Sequence, residues 1–143
     1  MEIVELTCYV PDSSNERKIP MFSMSVSAGV PVPVDDEVEQ EIDLNEFLVE
    51  HPAATFFARV KGNTMKEAGI EDGDILVVDS AIEPRDGKVV VASVNDELTV
   101  KIYRIIDGLI YLESDEQRFI PAEIDTYFKF NILGTVSKVI HTL

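Results

Sequence analysis

Short runs of apolar residues alternate with polar residues along most of the chain after residue 53. These runs are rich in Val, Ile, Phe and Tyr, which is typical of β-strands. The predicted strands cover residues 55–60, 74–79, 88–94, 98–105, 109–112 and 128–140. The turn pairs between them are Asp72-Gly73, Asp86-Gly87, Asn95-Asp96 and Asp107-Gly108. Because such pairs favour tight hairpins, we predict a mostly β fold, a compact and twisted antiparallel domain with one or two short helices.

One helix is well specified by its first turn. Asp43 can cap it, Glu46 completes a capping box three residues later, and Ile42 with Phe47 forms the hydrophobic staple. The residues that share its apolar face are Leu44, Phe47 and Leu48. His51-Pro52 is predicted to end this run. A second, very short helix is predicted over residues 64–69.

Residues 1–20 are mixed and polar, and they predict a loosely held arm with a short strand near residues 3–9. Residues 21–34 are predicted to be extended, because Pro31 and Pro33 are incompatible with a helix. The domain organisation that follows is an arm over residues 1–28 and a folded domain over residues 29–143.

Composition narrows the class of protein. The 143 residues suit one domain, and the single cysteine, Cys8, excludes a disulfide framework. No stretch predicts a membrane span or a secretory signal, so we expect a cytoplasmic protein. Twelve basic and 27 acidic residues give a net charge of −15. Since phosphate contacts depend on Lys and Arg, we expect no direct binding to duplex DNA. The same charge also fits a domain that is merely kept soluble.

The sequence Gly62-Asn63-Thr64-Met65 is a candidate nucleophile turn. A hydroxyl residue at the start of a short helix is exposed and lies near backbone N–H groups that can stabilise an oxyanion. The structural alternative is a helix cap, because Thr64 and Glu67 have the spacing of a capping box.

Lys101 is a candidate general base. Strand alternation puts Thr99, Lys101 and Tyr103 on one face. A lysine acts as a base only when neutral, so its pKa of about 10.4 would have to fall by roughly 3 units, which burial can achieve. The alternative is an ordinary solvated lysine. A Ser/Thr–Lys pair would need no histidine, and neither His51 nor His141 has an obvious triad setting.

Ala28-Gly29 is a candidate cleavage site, because two small residues in an extended, proline-flanked stretch can lie close to a nucleophile. A flexible linker explains the same residues. Together, in order and spacing, these three pieces resemble the LexA-like self-cleaving peptidases. That family has a cleavage site ending in Gly, then Gly-(Asp/Asn)-Ser-Met, then a strand lysine about 37 residues later. Here Lys101 follows Thr64 by 37 residues.

The resemblance covers roughly residues 20–143 and implies self-cleavage. Thr64 would be the nucleophile, Lys101 the base and Ala28-Gly29 the scissile bond, with no cofactor and no metal. Self-cleavage would remove the arm over residues 1–28 and leave the peptidase and accessory domain over residues 29–143. The resemblance is strongest for the UmuD-like members, which implies a homodimer, promotion of cleavage by RecA filaments on single-stranded DNA, and binding to the catalytic subunit of a translesion polymerase. LexA-type repressors instead carry a helix-turn-helix domain before the cleavage site, for which residues 1–28 are too short.

The departure from the family pattern is Thr64, because the family has serine there. Threonine keeps the hydroxyl, but its extra methyl restricts χ1 and must fit a packed site. Two functions from different classes therefore remain open: a self-processing peptidase with a Thr/Lys dyad, and a polymerase-binding accessory module whose peptidase site is degenerate. A signal-peptidase relative with the same dyad is disfavoured by the lack of a predicted anchor.

Overall fold

The computed structural model describes residues 2–8, 18–22, 38–94, 96–115, 118–119 and 130–143. The chain divides into two units, residues 1–10 with 51–143 and residues 11–50. The strands of the larger unit are β1 (Glu2–Cys8), β4 (Thr55–Lys61), β5 (Ile75–Asp79), β6 (Val89–Val94), β7 (Glu97–Ile106), β8 (Leu109–Glu113), β9 (Arg118–Phe119) and β10 (Phe130–Ile140). Two 3-10 helices, Pro52–Ala54 and Lys66–Ala68, complete it. The predicted mostly β fold is confirmed.

The described strands of the larger unit form one antiparallel sheet in the order β1-β4-β5-β10-β6-β7-β8-β9. β1 also pairs with β7, through Glu2 opposite Thr99. The long strand β10 lies between β5 and β6, although it comes last in the sequence. The predicted short strand near residues 3–9 is present as β1, and it belongs to this sheet.

Two clusters of buried residues form the core of the larger unit. The first cluster consists of Ala58, Val60, Met65, Ile70, Leu76, Val78, Val91 and Val100. The second consists of Val90, Ala92, Tyr103 and Leu112. Because Val90 and Val91 point to opposite faces of β6 and are both fully buried, this part of the sheet is covered on both faces.

The hairpin between β7 and β8 follows the turn chemistry that its sequence predicts. Asp107 and Gly108 have φ values of 51° and 77°, as a type I′ turn requires at both central positions. Asp96 likewise has a φ of 66°, while its predicted turn partner Asn95 lies outside the described residues.

The smaller unit pairs β2 (Lys18–Phe22) with β3 (Val38–Asp43), and β3 leads directly into α1 (Leu44–Leu48). The predicted cap is confirmed, since the Asp43 carboxylate accepts a hydrogen bond from the backbone N–H of Asn45 at 2.9 Å. The predicted apolar face is not buried, however, because Leu44 and Phe47 are 46% and 54% exposed. Among the described residues, no helix is long and apolar enough to cross a membrane.

Candidate active site

A tight turn follows β4 and carries Thr64. Gly62 has a φ of 104°, a left-handed conformation that favours glycine. Its N–H donates to the Asp72 carboxylate at 2.7 Å. The N–H of Gly62 is therefore engaged within the turn, and the oxyanion or turn role of Gly62, Asn63 and Met65 stays a prediction. Asn63 is exposed and Thr64 is half-buried.

The helix-cap alternative for Thr64 does not match this geometry. The 3-10 helix begins at Lys66, and its N-cap position is held by Met65. In a capping box the Thr64 hydroxyl would accept from the N–H of Glu67. That N–H instead points to the Asp115 carboxylate, at 3.5 Å. The predicted second helix is present, but it begins one residue later than a cap at Thr64 requires.

The backbone around Thr64 is anchored from both sides. The backbone N–H of Asp115 donates to the carbonyl oxygen of Thr64 at 2.8 Å. On the other side, Met65 is fully buried in the first core cluster. The main chain at Thr64 is thus held between the core and the segment that follows β8.

Lys101 is buried, with 8% of its surface exposed. It lies on β7 directly opposite Val90 of β6, and the next residue on the same face is Tyr103. Both of these neighbours belong to the second core cluster. The prediction that this face is apolar enough to bury a lysine is confirmed, and the alternative of a solvated strand lysine is wrong.

The segments that carry Thr64 and Lys101 converge through their neighbours. Met65 and Val100, each one residue away, pack in the same core cluster. Ile102, which follows Lys101 on β7, is paired with Glu113 of the next strand, β8. Asp115, which binds the Thr64 carbonyl, comes two residues after Glu113. The turn and the strand are therefore linked both through the core and through the end of β8.

The two histidines of the chain are engaged elsewhere, at the two ends of β5. Nδ1 of His51 lies 2.6 Å from the buried carboxylate of Asp79. Nδ1 of His141 lies 2.6 Å from that of Asp74, which is 2% exposed. Burial raises the pKa of Asp74. The hydrogen bond from the backbone N–H of Glu71 and the interaction with the His141 ring lower it by more in total, so the net shift of the pKa is downward. The hydrogen bond to Asp74 raises the pKa of His141.

Comparison with known proteins identifies the family. Residues 20–137 match the family described as Peptidase S24-like. The chain belongs to this family. The matched range covers most of the sheet described above, including the turn at Thr64 and the strand with Lys101.

The chain is similar to proteins named ImpA and SamA and to a LexA repressor. The protein ImpA of Salmonella typhimurium is 44% identical over 91 residues, which cover 64% of this chain and 63% of ImpA. The protein SamA of Salmonella typhimurium strain LT2 is 38% identical over 123 residues, 85% of this chain and 84% of SamA. The LexA repressor of Shewanella sp. strain ANA-3 is 37% identical over 120 residues, 82% of this chain and 56% of the repressor. The chain therefore spans less than two thirds of the ImpA and LexA relatives.

For a peptidase of this family, the arrangement offers a hydroxyl on an anchored turn and a lysine on a neighbouring buried strand. The predicted scissile pair, Ala28 and Gly29, lies outside the described residues. Sequence reasoning missed Asp72 and Asp115, the two carboxylates that hold the turn. Nothing local marks them, because Asp115 is 48 residues from its partner Glu67.

Proposed function

We propose that this chain is a UmuD-like self-processing endopeptidase that cuts itself between Ala28 and Gly29. In this proposal Thr64 is the nucleophile and Lys101 the general base. The cut chain then serves as an accessory subunit of an error-prone DNA polymerase. Membership of the S24-like family and the likeness to ImpA and SamA support it.

The burial of Lys101 is the observation that carries the proposal. Lys101 is 8% exposed, and it lies opposite Val90 and on the same face of β7 as Tyr103. Burial of this kind disfavours the charged form of a lysine. A neutral amine is what a general base requires, so the burial of Lys101 supports the role that we propose for it.

The proposed reaction needs only these two residues and one water molecule. The neutral amine of Lys101 takes the proton of the Thr64 hydroxyl while its oxygen attacks the carbonyl carbon of Ala28. The C–N bond then breaks, and the amine of Gly29 leaves with the proton from Lys101. Water, activated by the same lysine, hydrolyses the ester between Thr64 and Ala28 and restores the hydroxyl.

Thr64 should make this reaction slow. We expect its extra methyl to be crowded, because the turn is half-buried and is held by Asp115 and by the core around Met65. Crowding of about 1–3 kcal/mol in the transition state corresponds to a rate roughly 5- to 150-fold lower than that of serine.

Self-digestion of purified protein, followed on a denaturing gel from neutral pH to pH 10, tests the proposal. Cleavage should accelerate as the pH rises, because deprotonation of Lys101 supplies the base. Thr64→Ser should be cut faster by about 5- to 150-fold, and Lys101→Ala should not be cut. Mass spectrometry should find a product that begins Gly-Val-Pro-Val-Pro, starting at Gly29.

Two exposed residues provide matched controls. Thr142→Ser removes the same methyl and Lys88→Ala the same ammonium, both at exposed positions, and both should leave the rate unchanged. If Thr64→Ser remains uncut at pH 10 and with activated RecA, the peptidase proposal fails. The chain would then be a binding module with a degenerate site.

The partners follow from the same family proposal. We infer a homodimer that acts in the cytoplasm, meets a RecA filament on single-stranded DNA, and binds a polymerase subunit through protein contacts. The net charge of −15 supports contact with protein and not with duplex DNA. Nanomolar binding to an operator-like duplex at physiological salt would refute this part.

A further inference from the structure

The outer edge of β4 carries a strand from the N-terminal end of the chain. Residues of β1 pair antiparallel with β4, from Glu2 opposite Lys61 to Cys8 opposite Phe56. The first residue of β1 is also paired with Thr99 of β7. β1 therefore joins two strands of the same sheet, the one that leads into the Thr64 turn and the one that carries Lys101.

The register of this pairing matches acidic positions with basic ones. Glu2 is opposite Lys61, and Glu5 is opposite Arg59. A register shift between Ile3 and Glu5 produces the second match, because an uninterrupted ladder would put residue 4 opposite Arg59. Opposite charges at directly paired positions stabilise an antiparallel ladder. The register shift thus puts each of the two glutamates opposite a basic residue of β4 in the ladder.

We propose that the β4 edge is a strand-binding site that retains the segment 1–28 after the chain is cut between Ala28 and Gly29. Self-cleavage between Ala28 and Gly29 rests on the proposed function, but the binding of the N-terminal segment to β4 does not. Addition of an extended segment to a sheet edge is a common mode of peptide recognition. In this chain the bound strand is its own N-terminal segment.

The consequence concerns what cleavage releases. A cut at residue 28 breaks the covalent link but leaves the ladder from residue 2 to residue 8 untouched. Cleavage then yields a two-piece complex, and the β4 edge becomes available to another strand when the first segment is displaced. The segment loses its high effective concentration on cleavage, so displacement becomes a matter of competition.

A cut made by an added protease tests the binding independently of self-cleavage. A short recognition sequence for a site-specific protease is inserted between Ala28 and Gly29, in a chain that also carries Thr64→Ala. After complete digestion, size-exclusion chromatography at micromolar concentration should show most of the N-terminal fragment eluting with the body. Complete separation of the two pieces would overturn the proposal.

Charge reversal tests the register. Arg59→Glu with Lys61→Glu should weaken retention by roughly ten- to a hundredfold, because two attractive pairs become repulsive. Adding Glu2→Lys and Glu5→Arg to that variant should restore co-elution. If the combined charge swap fails to restore it, the proposed register is wrong.

A matched control separates register from net charge. Lys66→Glu with Lys88→Glu makes the same change in charge at exposed positions away from β4, and this variant should retain the fragment like the parent. The cut in this experiment comes from an added protease. A finding that the Thr64–Lys101 pair is inactive would therefore refute the proposed function without affecting the measured retention of the fragment.

Discussion

Gly134 lies on β10 where that strand passes close to β5, and we expect its replacement by alanine to destabilise the fold. It is buried, and β10 shifts register beside it, between Ile132 and Gly134. A Cβ at this position would lie 2.8 Å from Cγ1 of Val78 and 3.1 Å from the carbonyl carbon and oxygen of Asp79. A glycine in a strand often marks such a close approach of backbone.

The size of this destabilisation depends on whether Val78 and the Asp79 backbone can move away from the added methyl group. Carbon atoms in contact prefer about 3.5–4.0 Å, so the overlap with Val78 is at least about 0.7 Å. The Asp79 backbone cannot yield easily, because it is paired with Thr55 on one side and Thr135 on the other. Overpacking of this kind costs about 1–3 kcal/mol. The lower chain entropy of alanine in the unfolded state offsets about 0.5–1 kcal/mol of it, which leaves a net loss of about 0.5–2 kcal/mol.

Urea unfolding followed by circular dichroism measures this loss. With a slope of about 1–3 kcal/mol per molar urea, Gly134→Ala should lower the midpoint by roughly 0.2–2 M. Val78→Ala on its own also destabilises, because Val78 is fully buried. Combined, the two changes should cost less than their sum by about 1 kcal/mol, since the first clash disappears and only the contact with Asp79 remains.

A second glycine controls for the general effect of an added methyl group. Gly108 has nothing within 4 Å of its Cβ position, and its φ is +77°. Gly108→Ala therefore costs backbone strain alone, and its effect should add to that of Val78→Ala within about 0.5 kcal/mol. Additivity of Gly134→Ala with Val78→Ala, within the same margin, would refute the contact that we infer.

Two further predictions concern hydrogen bonds. The pKa of His141 is raised, so its contribution to stability is complete below the usual value of 6.5 and is lost as the pH rises through the folded value. The pKa of Asp74 is lowered, so its contribution is present above 3.8 and is lost as the pH falls through the folded value. His141→Gln should therefore flatten the fall in urea midpoint above pH 6.5, and an unchanged profile would contradict the pairing of His141 with Asp74. Asp43→Ala should cost the α1 cap about 0.5–2 kcal/mol, seen as faster amide exchange at Asn45, whereas unchanged exchange would show that the cap is not used.

Local features of this fold could be predicted from the sequence because their causes are local. The turn at Asp107-Gly108 needs positive φ at both positions, and that chemistry is written in two adjacent residues. The Asp43 cap is equally local, since its acceptor and donor are two residues apart. The family pattern likewise depends on short motifs at fixed spacing, so the order of residues along the chain is enough to recognise it.

Pairing and burial could not be predicted in the same way. β10 inserts between β5 and β6 through contacts distant in sequence, and the carboxylates of Asp72 and Asp115 reach the Thr64 turn from separate loops. Burial on both faces also breaks the alternation that marks a half-exposed strand. In β5 the consecutive residues 76–79 are all buried, so period two gives no sign of which face meets solvent.

Lys101 shows how this limit bears on function. From alternation alone, its face of β7 could have been the solvent face, which suits any lysine. The second core cluster covers that face, and lysine is rarely buried unless its amine has a partner or a use. It is this burial, at 8% exposure opposite Val90, that alternation could not show and on which the peptidase proposal depends, so the comparison of Thr64→Ser with Lys101→Ala decides between the peptidase and the degenerate module.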